Sequence, residues 1–299
     1  MEHMLRIAAT LALAVTVPIL FRARPAIRQT TLAGAWVWTT ISLGVWGSVW
    51  SITQTSRAVP PGLADQLWYA TAVVAVCPPI AVLGARRPGT GVWTCFILLP
   101  LLVVLGWPAW AVWGSGFPLP RLELAAPAVL GYGVVLVMGA GNYFGTRYWA
   151  SAGLYAASLL CIVLPFLQSV SARFPNSQIA RGWGTLLFAA AIVTAAISSR
   201  RAARVASSSG LDRVWILFRD SFGMVWARRT QDQLNDVARQ EGWPARLDVG
   251  GIVWTDPQIA EADRTKTGTR IEQTFRRLLK RFVDPEWIDE RLAEVPEVQ

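Results

Sequence analysis

The sequence predicts an all-α polytopic membrane protein, with about seven transmembrane helices followed by a small, mostly helical cytoplasmic domain. Three observations predict it. Hydrophobic residues make up 53% of the 299 and charged residues only 16%, where a soluble domain carries roughly 25% charged. The charge is divided unevenly. Residues 1–199 hold eleven Arg, no Lys and three acids (Glu2, Asp65 and Glu123), whereas residues 200–299 hold seventeen basic and sixteen acidic groups. Finally, the arginines of the first part stand between apolar runs long enough to cross a bilayer, the pattern of loops that flank membrane helices.

The expected spans are residues 4–21, 32–52, 67–85, 91–113, 124–144, 150–167 and 183–198. The first is short, near the minimum of about 17 residues. A signal peptide carries its positive charge before the apolar region. Here Arg6 stands alone in front, Arg22, Arg24 and Arg28 follow, and no small-x-small cleavage site precedes them, so an uncleaved helix is expected. The second run has Trp36, Trp38, Trp46 and Trp50, and indoles near helix ends suit membrane interfaces. Residues 54–66, with Pro60, Pro61 and Gly62, are expected as a loop.

The third run is interrupted by Pro78 and Pro79, and the fourth by Pro100 and Pro108. Each proline removes a backbone donor and opposes a carbonyl one turn earlier, so kinks are expected. The fifth run carries Gly131, Gly133, Gly139, Gly141 and Gly145, small residues that let transmembrane backbones approach closely. Arg147 marks a short turn, and the polar loop 169–181 leads to the last run, closed by Arg200, Arg201 and Arg204. Seven spans put nine of these flanking arginines on one side and five on the other. The richer side is the expected cytoplasmic one. The N-terminus is then outside and residues 211–299 inside a plasma (inner) membrane, beyond a hinge at 200–210.

In the C-terminal part, Asp212 suits a helix N-terminus. Trp215, Phe218, Phe222 and Trp226 recur on one helical face. The helix is expected to run to Gln240 with Gly223 as its weak point, and Arg228 can pair with Asp232 four residues on. Residues 246–254 are the one strand-like piece, weakened by Gly250 and Gly251. Thr269 and Glu272 fit a capping box that opens a helix with Ile271, Phe275, Leu279 and Phe282 on one face and Arg276, Arg277, Lys280 and Arg281 beside it. A last helix starts at Asp284 and Pro285.

Chemistry is bounded mainly by exclusion. The single histidine is His3, and the three cysteines, Cys77, Cys95 and Cys161, lie apart in apolar runs without a CxxC spacing. No catalytic constellation, cofactor or metal site is expected, and no nucleic-acid partner, because the basic excess marks membrane topology. No ionisable residue is expected well inside a span, which argues against ion-coupled transport. The expected function is a non-catalytic scaffold, assembly or accessory subunit with the lipid bilayer and a protein partner as its contacts. Trp215, Phe218, Phe222, Trp226, Arg276, Arg277, Lys280 and Arg281 are the candidate partner or membrane contacts. The alternative for the two apolar faces is that they pack on each other as the core of the tail. A second functional reading is a permease component for a neutral or lipid-like substrate, with Pro78, Pro79, Pro100 and Asn142 around an intramembrane kink or cavity.

Overall fold

A computed structural model describes residues 2–55, 59–113, 116, 119–167, 177–205, 210–256, 258 and 260–293. It is 80% helical with almost no sheet. The polar loop 169–176 and the Ser-rich centre of the hinge, 206–209, fall outside the described residues.

The first 205 residues form α1 (Glu2–Ala23), α2 (Ala33–Thr55), α3 (Pro61–Ala75), α4 (Cys77–Leu83), α5 (Thr90–Trp93), α6 (Leu99–Trp113), α7 (Ala126–Gly141), α8 (Trp149–Val163) and α9 (Ser177–Val205). Segments α3 with α4, and α5 with α6, continue one another as single broken rods. The described residues up to Val205 therefore form seven rods. They run alternately between two ends. At one end Gln54 Nε2 donates to Gln178 Oε1 at 3.4 Å, Asp65 meets Arg121 and Arg181, and Leu124 N donates to Phe166 O at 2.8 Å. At the other end the turns 24–32, 84–89 and 142–148 meet the C-terminal region.

Five segments are long and apolar enough to cross a membrane: Glu2–Ile27, Pro61–Leu83, Gly91–Trp113, Trp149–Phe166 and Ser177–Arg200. Helix α7 is apolar but shorter. Helix α2 has the length, 23 residues, while its Trp, Thr and Ser lower its hydropathy. Those polar groups are satisfied internally. Thr39, Thr40 and Thr53 hydroxyls donate to carbonyls four residues back. The indoles of Trp46 and Trp50 donate to Thr185 and Thr10 on neighbouring helices. The helix thus presents little unpaired polarity to its surroundings, the condition a lipid phase imposes.

Burial is distributed as in a bundle solvated by an apolar phase. In the most apolar windows of Glu2–Ile27 and Gly91–Trp113 only 22% of residues are buried, against 78% for Pro61–Leu83, the central rod. Leu11, Phe96, Val104, Leu130 and Val137 stand outward and exposed. Exposed apolar surface on that scale marks contact with another apolar medium. The inner core gathers around Trp46, Trp68, Tyr69, Tyr132, Leu159 and Phe188, with Trp46 stacked on Phe188 at 4.2 Å between centroids.

Several boundaries differ from expectation for identifiable reasons. The expected loop 54–66 is helical from Pro61, because a proline at the first helical position loses nothing there. The kink at Pro78 and Pro79 occurs as a break at Val76. Around Pro100 the rod widens into a π-helical turn, Thr94–Leu98, since Pro100 has no N–H for the carbonyl of Phe96. Pro108 breaks nothing and lies inside α6. Of the clustered glycines only Gly139 makes a close interhelical approach, to Pro79, while a Cβ on Gly131 or Gly133 would meet nothing within 4 Å. Gly184 lets α9 approach α8 closely, since a Cβ there would lie 2.8 Å from Ile162.

No ionisable group is expected well inside a span, and the two that are buried lie near helix ends, Asp65 and Arg181 each being the fifth residue of its helix. Helices α3 and α9 both begin earlier than expected and carry Asp65 and Arg181 into the bundle. Their side chains are 4% and 5% exposed and sit 2.5 Å apart. Arg121, 62% exposed, faces the same carboxylate at 3.4 Å.

A buried charge that loses its partner costs about 3–5 kcal/mol, whereas replacing both charges with apolar groups is often neutral. Asp65→Ala should therefore lower the thermal unfolding midpoint in detergent sharply. Asp65→Leu with Arg181→Leu should recover most of the loss, and Arg121→Ala should change the unfolding free energy by less than about 1 kcal/mol.

Candidate functional site

The C-terminal region consists of α10 (Gly210–Gln240), β1 (Ala245–Asp248), β2 (Gly251–Trp254), α11 (Glu261–Leu279) and α12 (Pro285–Ala293). Its core contains Trp215, Phe218, Phe222, Trp226, Ile271, Phe275, Leu279, Phe282 and Trp287. Leu32, Val82 and Ala85 of the bundle belong to the same core. The candidate site is this seam.

The four aromatic candidates on α10 are thus packed inside. Trp215, Phe218 and Phe222 are at most 1% exposed and Trp226 is 7% exposed. Of the two readings open for that face, the geometry is that of a core. Phe282 is its centre, with ring centroids 5.2, 5.3 and 5.0 Å from Phe218, Phe222 and Trp226, all edge-on. Edge-to-face contacts add about 0.5–1.5 kcal/mol each beyond area burial. Trp226 also spans the seam, its indole donating to Val82 O at 3.2 Å.

Helix α10 is broken where its sequence is weakest. Gly223 has φ 80° and ψ 176°, a conformation essentially reserved for glycine. The break deprives neighbouring backbone groups of intrahelical partners, and Asn142 replaces them. Its Nδ2 donates to Phe222 O at 3.2 Å, its Oδ1 accepts from Val225 N at 2.9 Å, and its carbonyl accepts from Met224 N at 2.7 Å. A Cβ at position 223 would overlap the Asn142 carboxamide. Asn142 is itself 4% exposed.

Beside this clasp, Asp220 is 1% exposed and holds two arginines. Arg219 donates to Oδ1 at 3.0 and 3.1 Å, and Arg147 Nε faces Oδ2 at 3.2 Å. That last contact is an ion pair without hydrogen-bond alignment, since both atoms lack an aligned partner among the described residues. Three further turns are sewn together through backbone. Thr31 N donates to Phe282 O, Arg87 N to Arg281 O and Asp284 N to Gln29 O, each at 2.8 Å.

Local chemistry explains the remaining elements. Val249 and Gly250 form the two-residue turn of an antiparallel hairpin with Asp248 opposite Gly251, so the glycine pair turns the chain rather than weakening one strand. Asp212 Oδ1 accepts from Ile252 N at 2.7 Å and ties the hairpin to α10. The expected capping box is corrected: α11 starts at Glu261, and the Thr269 hydroxyl donates to Thr265 O in mid-helix. Glu272 instead pairs with Arg276 at 2.8 Å. Arg276 also donates to Asp289 at 2.5 Å. Partial burial acts to lower its pKa, but the hydrogen bonds to Asp289 and Glu272 outweigh it and leave the guanidinium above its ordinary value. Arg277, Lys280 and Arg281 are exposed.

The intramembrane candidates separate. Pro79 packs against Gly139, one turn before Asn142, and Pro78 is buried. Pro100 is exposed on the outside of the bundle. A cleft of about 880 Å³ lies elsewhere, between α10, the hairpin, α11 and α12, with Asp212, Trp254, Arg264, Glu272, Arg276 and Asp289 among its walls. Its groups mix charge with apolar wall. Among the described residues no three His, Cys, Asp or Glu come together as a metal site.

Asn142 is a candidate from the sequence, whereas the burial of Asp220, Asp65 and Arg181 has no local signal in it. The signal for Asn142 and Gly223 is present: an Asn at the end of an apolar run, and a Gly inside an amphipathic helix. No family model, curated protein or solved structure matches the chain.

Gly223→Ala forces a side chain into a strained conformation and into Asn142, which costs about 1–3 kcal/mol for the backbone alone. Asn142→Ala orphans buried backbone groups at about 1–3 kcal/mol each. Both variants should become susceptible to proteolysis between α9 and α10 at protease concentrations that spare the wild type.

Proposed function

We propose that the chain is an integral protein of a plasma (inner) membrane, with seven spans, the N-terminus outside and residues 211–299 as a cytoplasmic domain. It acts as a non-catalytic scaffold, assembly or accessory subunit that presents this domain to a protein partner. The observation that carries the reading is the seam. Among the described residues the turns 24–32, 84–89 and 142–148 are each hydrogen-bonded to the C-terminal region, and a shared aromatic core crosses between them. Such a joint holds the domain at a fixed height and orientation over the membrane, the property a scaffold needs. The cleft beside Arg264 and Arg276, lined by both charged and apolar side chains, is the surface assigned to the partner.

The seven alternating rods support the topology. They put Arg22 at the end of α1 and the turns containing Arg24, Arg28, Arg86, Arg87 and Arg147 at the end where the domain sits, as cytoplasmic loops are expected to be. The second reading, a permease component, draws no specific support from the placement of Pro78, Pro79, Pro100 and Asn142.

Two experiments test this. In a chain with Cys77, Cys95 and Cys161 replaced by Ser, a membrane-impermeant thiol reagent on intact cells should label Arg121→Cys. It should reach Arg239→Cys only after permeabilisation, and the reverse pattern would overturn the orientation. A photo-cross-linking residue placed at Arg264 should capture one polypeptide of defined mass in native membranes. Absence of any adduct from the intact, inserted chain would reject the scaffold reading.

A further inference from the structure

Where the C-terminal region is sewn onto the bundle, three basic segments converge. Arg28 precedes Gln29, whose carbonyl accepts from Asp284 N. Arg86 precedes Arg87, whose N–H donates to Arg281 O. Lys280 and Arg281 precede Phe282, whose carbonyl accepts from Thr31 N. Arg28, Lys280 and Arg281 are exposed and Arg86 is half-buried. Arg87 already has an acid, Asp284, at 2.7 Å. The other four have no acidic partner among the described residues. Arg86 rests instead over the Trp226 ring, 5.9 Å from its centroid.

Like charges on mutually bonded turns are unfavourable unless an anion neutralises them, and these four have no acid to do so among the described residues. What lies beside it is apolar. Phe21 and Val37 near the ends of α1 and α2 are 53% and 48% exposed, and Val92 and Phe96 beyond the 84–89 turn are 61% and 73% exposed. Cations bordering an exposed apolar wall suit a molecule with an anionic head and an apolar tail, whereas a free anion has no use for the wall.

We propose that Arg28, Arg86, Lys280 and Arg281 bind the phosphate of an anionic membrane lipid, which bridges bundle and C-terminal region and strengthens their docking. The proposal rests on the reading of the bundle as membrane-spanning with this end at a headgroup layer. The phosphate neutralises charge contributed from both sides of the seam, so lipid binding and docking are linked and each strengthens the other. A cation near an anionic surface contributes about fivefold in affinity.

The full chain reconstituted in nanodiscs of phosphatidylcholine, or of equal parts phosphatidylcholine and phosphatidylglycerol, tests it. Native mass spectrometry should show phosphatidylglycerol retained in preference to phosphatidylcholine, and cleavage between α9 and α10 should slow in its presence. The variant Arg28→Gln, Arg86→Gln, Lys280→Gln, Arg281→Gln should lose both effects, retention falling about fivefold per cation removed. Arg239→Gln, at the far end of α10, should keep them. Equal retention of the two lipids by the wild type overturns the proposal whether or not the fourfold variant folds. Protection by inorganic phosphate in phosphatidylcholine discs that matches phosphatidylglycerol overturns the lipid in favour of a free anion. A chain that enters neither nanodisc overturns the membrane reading, and this site with it.

Discussion

The structure depends on a side chain completing a broken helix. Helix α10 is broken at Gly223, at the cost of the backbone pairing on either side of the break. Asn142 restores that pairing with three hydrogen bonds, to Phe222, Met224 and Val225. A carboxamide suits the task because it donates and accepts at adjacent atoms, as a peptide group does. The two halves of the chain are therefore joined by backbone-type bonding, and the aromatic cluster around Phe282 makes the joint dry.

Charge is handled differently at the two ends of the bundle. At the end away from the seam, Asp65 and Arg181 neutralise each other in burial, with Arg121 added from the surface. At the seam, Asp220 is buried against Arg147 and Arg219, while further arginines stay exposed without acids. Buried pairs of this kind contribute little net stability, yet each is costly to break singly. They define which helices meet, α3 with α9 and the 142–148 turn with α10, more than they add to the depth of the energy minimum.

Much of this was legible in the sequence. Apolar runs bounded by arginines place the centres of the rods, because length and hydropathy constrain each apolar helix, while α3 and α9 begin six residues earlier than expected. The proline pair in the third run and Gly223 in α10 mark real breaks, since both act locally through the backbone. What was illegible depends on partners distant in sequence. Nothing local shows that Asp65 will meet Arg181, that Asn142 will cap residues eighty positions away, or that the Trp215 to Trp226 face is closed by Phe282 and Val82. The capping-box motif misled because Glu261 and Asp263 start the same helix two turns earlier. Pro108 misled because one missing hydrogen bond inside a membrane helix is tolerable.

A bundle that carries its C-terminal region as one body differs from a bundle with a tethered tail in one observable above all, the exchange of the clasped amides. Hydrogen–deuterium exchange on the reconstituted chain, resolved for the peptide containing Met224 and Val225, reads it directly. These amides flank a helix break and would exchange at once in an isolated, kinked helix. In the structure both are donated to Asn142, so exchange is predicted to be as slow as in the continuous turns around Leu234. Rapid exchange at Met224 and Val225 with the rest of α10 protected would contradict the account, for it would mean that the C-terminal region folds without being held.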